Sequence, residues 1–366
     1  MRRRDFLKTA LATSALAPDG RGTASPAPGA AGVIDGFCHF SSMRVLDALE
    51  AGGGPKPHVF RSLFAHTPAL TDAERRLELM DAFGVTRSVL VPLPWLETAP
   101  AVHGEPAKCL AAARLLNDEL AAVAARRPDR FTAVAVLPTT TPDIMLEELH
   151  RCVNELRMAG GLFVTGPTVK RPDHPDFETL YAEAARLDVP LWVHPSRPPA
   201  CPDYADEPAS KYQIWQTLSW LQDSSAAMVR IVFAGVFERH PSLKLIIHHH
   251  GALVPLFAQR MQYGWDYFEQ NTGVRQATSI TRPYIDHFRK FYCDTATQGV
   301  EPKLLEVATA FFGPDRVLFG SDAPMDASGG RSFTGDALAS VRGMDLPQAD
   351  KDKILSGNAR RLLKLG

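Results

Sequence analysis

The sequence predicts an α/β barrel, a (β/α)8 arrangement of eight parallel strands alternating with helices, and three observations predict it. Eight short apolar runs recur near 33–39, 85–92, 131–137, 160–165, 189–194, 243–249, 290–295 and 316–321. Most are apolar at every position, as expected of parallel strands covered on both faces. Helical patterns separate them, among them 71–83, 106–127, 142–158, 177–187 and 302–311. Finally, four of the runs end in a residue able to do chemistry: His39, His194, His249 and Asp322. Strand C-termini of a closed parallel barrel converge on one face, which is where barrel enzymes keep their active sites.

The elements can be justified in order. Residues 1–32 stand apart: Arg3-Arg4-Asp5-Phe6-Leu7-Lys8 resembles a twin-arginine export signal, Ala15-Leu16-Ala17 resembles a small-residue cleavage site, and 18–32 is an Ala/Gly/Pro-rich linker. This predicts export to the periplasm, or a cytoplasmic protein where the signal does not operate. The barrel then occupies 33–366. Thr71-Asp72-Ala73-Glu74 has capping-box spacing, and Gly84 stops the helix that follows. Two stretches exceed a minimal barrel, 52–70 and 195–220; the second carries Arg197, Tyr204, Lys211, Tyr212, Trp215 and Trp220. Long loops on the catalytic face shape substrate pockets. The tail, 346–363, reads as two further helices outside the barrel.

Composition bounds the function. Of 366 residues, 45% are apolar and 22% charged, enough for a large core. The net charge of -1 argues against nucleic-acid and anionic-membrane partners. No stretch reaches the roughly 18 apolar residues of a membrane span. Five cysteines without close-paired spacing give no case for disulfides or a Cys-rich zinc site.

Strand alternation puts Asp35, Phe37 and His39 on one face and Cys38 on the other. His194 precedes Pro195-Ser196-Arg197, an imidazole suited to a divalent metal beside a guanidinium suited to a carboxylate. Of the three consecutive histidines at 248–250, His248 shares parity with Ile246 and His249 with Leu245 and Ile247. Parity does not choose between them. Asp322 ends an apolar run, where a carboxylate is costly unless paired or metal-bound. Asp294 ends another and suits a supporting hydrogen-bonding part.

From about Val33 onward the chain resembles the amidohydrolase superfamily, in the branch of aminocarboxymuconate-semialdehyde decarboxylase. The matching pieces are Ile34-Asp35 through His39, Leu191-Trp192-Val193-His194-Pro195, 233–239, 248–255, 291–295, 319–324 and 357–363. The resemblance implies a distorted barrel with one divalent metal, zinc or manganese, held by His39, His194 and Asp322. It assigns proton transfer to His249, counted back from Pro255. Arg260 matches an arginine that reaches substrate across a subunit interface, implying a homodimer. One position departs: where relatives carry a first metal ligand, this chain has Phe37, which implies weaker metal occupancy.

The resulting expectation is a metal-dependent lyase of the decarboxylase type acting on a small unsaturated or aromatic carboxylic acid. His249 and Asp322 are the catalytic pair, and Arg197, Arg260 and Trp215 line the substrate. Hydrolysis of a lactone, ester or amide, and a non-catalytic binding role on a barrel without its metal, are the competing expectations.

Overall fold

The structure, a computed structural model, describes residues 32–51, 58–93, 99, 102, 104–274, 280–281 and 283–365. The signal and linker expectations at 1–31, and part of the 52–70 excursion, lie outside the described residues. Parallel strands form a three-stranded and a six-stranded sheet. Two pieces, Phe131–Ala133 and Ala135–Val136, interrupt one run at Val134. Counted as one strand they give eight: β1 Val33–Phe40, β2 Val85–Pro92, β3 the interrupted run, β4 Gly161–Thr165, β5 Pro190–Pro195, β6 Lys244–Ile247, β7 Tyr292–Asp294 and β8 Val317–Leu318. These are the eight runs expected from the sequence.

The ring closes between its first and last members. Gly36 N donates to Phe319 O at 2.7 Å, and Phe37 O accepts from both Ser321 N (3.1 Å) and Asp322 N (3.0 Å). Gly320 sits at this seam because a Cβ there would lie 2.9 Å from Asp294 Cβ and 3.0 Å from Phe37 Cβ.

Two apolar layers follow from strand alternation. The barrel interior is filled by Ile34, Phe37, Val89, Leu162, Trp192, Ile246 and Leu318, among others. The opposite strand faces, including Leu191, Val193, Leu245, Ile247 and Cys293, pack under the surrounding helices.

The helix Ala73–Phe83 begins one residue later than the capping-box spacing placed it. Asp72 is the N-cap, its carboxylate accepting from Glu74 N and Arg75 N, and Gly84 ends the helix in the left-handed conformation. The helix expected over 142–158 passes into a wider turn at Arg151–Glu155. The tail is nearly continuous, Gln348–Asp352, Lys353–Gly357 and Asn358–Leu363, and Phe319 N donates to Ile354 O, tying it to the barrel. No described helix is long and apolar enough to cross a membrane.

Candidate active site

β1 carries Phe37 and His39 into the barrel mouth. Its pairing with β2 slips between Asp35 and Cys38. That extra residue lets Ile34 and Phe37, an odd number of positions apart, both reach the interior. Asp35 therefore does not share the face of Phe37 and His39, as uninterrupted alternation predicted. Its buried carboxylate turns to the seam, where it accepts from Ser321 Oγ (2.5 Å) and Ser321 N (3.1 Å). Burial pushes its pKa up to about 7, against the lowering effect of those bonds and of Arg76.

His39 Nδ1 donates to Val91 O at 3.3 Å, and its Nε2 lies 3.2 Å from Asp322 Oδ1. At the end of β5, His194 Nδ1 donates to Pro195 O at 2.6 Å, leaving Nε2 buried with no hydrogen-bond partner. Burial holds His194 well below the usual imidazole range, and neighbouring His248, His39 and His249 push the same way. It is a neutral imidazole with a bare nitrogen, the form in which histidine binds metals.

β6 resolves what parity left open. Ile246 faces the interior and Ile247 the helices, so His248, two residues after Ile246, continues inward. His249 would point outward if the strand went on. Instead the backbone turns left-handed at His249 and His250 (φ 56° and 57°), and His249 joins the pocket lining. Asp294 holds both residues: Oδ2 lies 2.6 Å from His248 Nδ1, and Oδ1 accepts from His249 N at 3.1 Å. Burial pushes Asp294 up to about 7, and lowers His249, with Asp322 and Asp294 opposing the latter shift.

The pocket above these residues has a volume of about 370 Å³ and is lined by His249, Asp322, Trp220, Leu253, Leu305 and Ala308, among others. It admits a single aromatic ring with its substituents, at the small end of the usual range for ligand sites.

The remaining expected residues are placed differently. Arg197 makes a two-pronged ion pair with Asp223, 2.9 Å on each side, so its charge is already matched within the protein. Trp215 stands one ring back: it packs edge-on against Trp220 at 5.4 Å, and Trp220 faces His194 (5.4 Å) and His249 (6.5 Å). The wall indole is Trp220. Arg260 is exposed on the helix Val254–Thr272 and is not part of the pocket lining.

Arg76 was missed altogether. Although almost fully buried, its guanidinium donates to the carbonyls of His39, Ala69 (3.0 Å) and Ala323 (3.4 Å), fixing the backbone beside both His39 and Asp322. A signal existed, since Arg76 shares a helical stripe with Met80 and Phe83.

The donors fit a divalent cation in kind, and two pairs of imidazoles fit it in spacing. With a metal–nitrogen distance of about 2.1 Å and roughly tetrahedral directions, two imidazole centroids on one ion lie about 5 Å apart. The pairs His39–His194 and His194–His248 are 5.2 and 5.1 Å apart. As placed, no three His, Cys, Asp or Glu side chains among the described residues form a finished cage. Ligation requires His39 and Asp322 to exchange their mutual contact for the ion.

Comparison with known proteins places the chain in a family. The sequence model of the amidohydrolase family matches residues 34–365. The chain is 32% identical over 302 residues to gamma-resorcylate decarboxylase of Rhizobium radiobacter, covering 80% of this chain and 87% of the relative. It is 27% identical over 288 residues to 2-amino-3-carboxymuconate-6-semialdehyde decarboxylase of Dictyostelium discoideum, covering 75% of this chain and 73% of that one. A dihydroxybenzoic acid decarboxylase from Polaromonas sp. JS666, solved with bound manganese and the inhibitor 2-nitroresorcinol, superposes with a TM-score of 0.72 at 28% identity. That match covers 91% of this chain and 97% of the other.

Proposed function

The chain belongs to the amidohydrolase family, and from that premise we propose that it is a metal-dependent carboxy-lyase acting on a small aromatic or unsaturated carboxylic acid. The observation that carries this reading is the meeting of His249 and Asp322 on one largely apolar pocket, with His39 in contact with Asp322 and His194 beside His249. The decarboxylase relatives favour carbon–carbon cleavage over hydrolysis.

His39, His194 and Asp322 would hold the cation, Mn(II) as in the Polaromonas relative or Zn(II). Such an ion supplies a positive centre that orients substrate oxygens and stabilises negative charge developing on them. Trp220, Leu253 and Ala308 receive the ring and keep bulk water from its face. His249, kept neutral by burial, accepts a proton from a substrate hydroxyl or from solvent and delivers it to the ring carbon bearing the carboxylate. The bond to the carboxylate then breaks, carbon dioxide leaves, and the bonding pair returns to the ring. Asp294 steadies His249 through its backbone N–H.

Arg260 supports a homodimer. It shares one face of its helix with Leu256, Tyr263 and Tyr267, and those three are 63%, 64% and 70% exposed. A second copy covering that stripe would carry each Arg260 toward its neighbour. The Arg3-Arg4 signal supports export through the twin-arginine route.

The test is carbon dioxide release from a panel of hydroxybenzoates and muconate-type acids, by protein stripped with chelator and reloaded with Mn(II) or Zn(II). Release that depends on the ion is the expected result. Turnover of lactones or esters without carbon dioxide would replace this reading with hydrolysis.

A further inference from the structure

Behind the pocket lining lie a phenyl ring, at the position where the family resemblance puts a donor in relatives, and an imidazole that the chemistry above does not use. Phe37 is fully buried, with its centroid 5.0 Å from that of His39 and 5.7 Å from that of His194. His248 lies flat against it, 3.7 Å between centroids and 22° between planes. His248 is fully buried and is not part of the pocket lining, whereas His249 is. It therefore sits beneath the substrate space. Its Nε2 has no hydrogen-bond partner, although its Nδ1 is anchored by Asp294 Oδ2 at 2.6 Å.

We propose that His248 is a metal ligand that takes over from the donor missing at Phe37, so that His39, His194, His248 and Asp322 hold the ion and His249 remains free for proton transfer. The inference rests on the metal-dependent reading above and adds a residue to it. Metal-binding histidines almost always donate their second ring N–H to a carboxylate, a backbone carbonyl or water, which fixes the tautomer and bares the other nitrogen. Asp294 is placed to do this for His248. The 5.1 Å between the His194 and His248 rings suits two imidazoles on one ion at ordinary metal–nitrogen distances. Strand parity sends His248 inward beside Ile246, and the face of Phe37 fixes its ring plane. The aromatic residue at 37 is on this view a support for the ligand rather than a gap in the site.

The experiment uses the full chain, stripped and titrated with Co(II), reading affinity by competition with a chromogenic chelator and coordination by the visible Co(II) spectrum. Circular dichroism confirms folding of each variant. His248→Gln should weaken Co(II) binding by at least about 100-fold, more than loss of an outer-shell partner usually costs, and should change the spectrum. Adding Phe37→His to that variant should recover much of the affinity, because the imidazole returns from the β1 side. If His248→Gln does not fold, Asp294→Asn serves instead, with an expected loss of about 10- to 100-fold. Wild-type affinity and spectrum in either folded variant, with binding abolished in His194→Gln, would overturn the role of His248 and leave the carboxy-lyase reading standing. A wild-type chain that releases carbon dioxide but binds neither Co(II) nor Mn(II) would overturn the ligand assignment and the metal dependence together. Binding without any carbon dioxide release, but with the His248→Gln loss, would uphold the ligand and sink the decarboxylase reading.

Discussion

β1 and β6 end beside the same pocket, β1 through the contact of His39 with Asp322 and β6 through His249, and they supply it in opposite ways. β1 gains a residue between Asp35 and Cys38, stays extended, and presents Phe37 and His39 in alternation. β6 is regular for four residues and then leaves the strand conformation, so that neighbouring His248 and His249 both face the site. A regular strand end offers the barrel mouth every second side chain. A strand that breaks into left-handed turns can offer two in succession, at the cost of backbone strain. The two ends also differ in what steadies them. On the β1 side it is a guanidinium on main-chain carbonyls; on the β6 side it is one carboxylate shared by two histidines.

The sharpest way to separate the two ends is to remove their chemistry. Asp322→Ala, on the β1 seam, should deplete metal and abolish turnover together, read by metal analysis alongside carbon dioxide release. His249→Ala, at the β6 end, should lower turnover by about 100- to 10,000-fold while metal content and melting temperature hold. Retention of more than about a tenth of wild-type turnover would remove His249 from the proton-transfer role.

Arg76→Met strikes the steadying group of the β1 side. It removes the guanidinium from three buried carbonyls; Ala323 O keeps its bond from His39 N at 2.8 Å, and a cost of about 1–3 kcal/mol at each of the other two makes a loss of at least about 2 kcal/mol the expected result in urea denaturation. A loss below about 1 kcal/mol would mean that water replaces the guanidinium.

Asp35 gives the pH test. Its pKa in the fold, about 7, lies above the roughly 4 of an unfolded aspartate, so its favourable contribution is complete below about pH 4. That contribution is lost as pH rises toward 7. Wild type should therefore lose stability relative to Asp35→Asn across this window, and parallel curves would show that Asp35 titrates normally. The smallest effect, about 1 kcal/mol, is expected for Asp72→Ala, which uncaps the helix carrying Arg76. It shows how far the guanidinium clamp depends on its helix start.

Much of this was legible because parallel barrel strands announce themselves as short, fully apolar runs. The strand ends His39, His194 and Asp322 could be read from those runs, His249 was chosen over His248 only by the family resemblance, and the four lie together, with His39 against Asp322 and His194 beside His249. What escaped depended on contacts between distant segments. The slip at Asp35 is set by pairing with β2 and by the tight seam at Gly320. Arg76 lies on the apolar stripe of its helix, but the carbonyls of His39 and Ala323 that it serves come from other segments and are placed only by the fold. Trp215 and Trp220 share a loop, and only the folded loop shows which indole faces His249. Arg197 looked available because Asp223, its partner, lies 26 positions later in the chain.

The seam between β1 and β8 has a consequence for how activity is gained and lost. Asp322 is oriented by a hydrogen bond to the carbonyl of Phe37, and one guanidinium spans the carbonyls of His39 and Ala323. The first and last barrel strands are thus joined by the same bonds that aim His39 and Asp322, the proposed ligands. A chain open along this line has no partly competent site, because His39 and Asp322 meet only when the circle is complete. On the proposed metal-dependent reading, occupancy by the cation would act as a gauge of closure. Damage far from the pocket that loosens the tail helices on Phe319 should be felt as lost metal before it is felt as lost secondary structure.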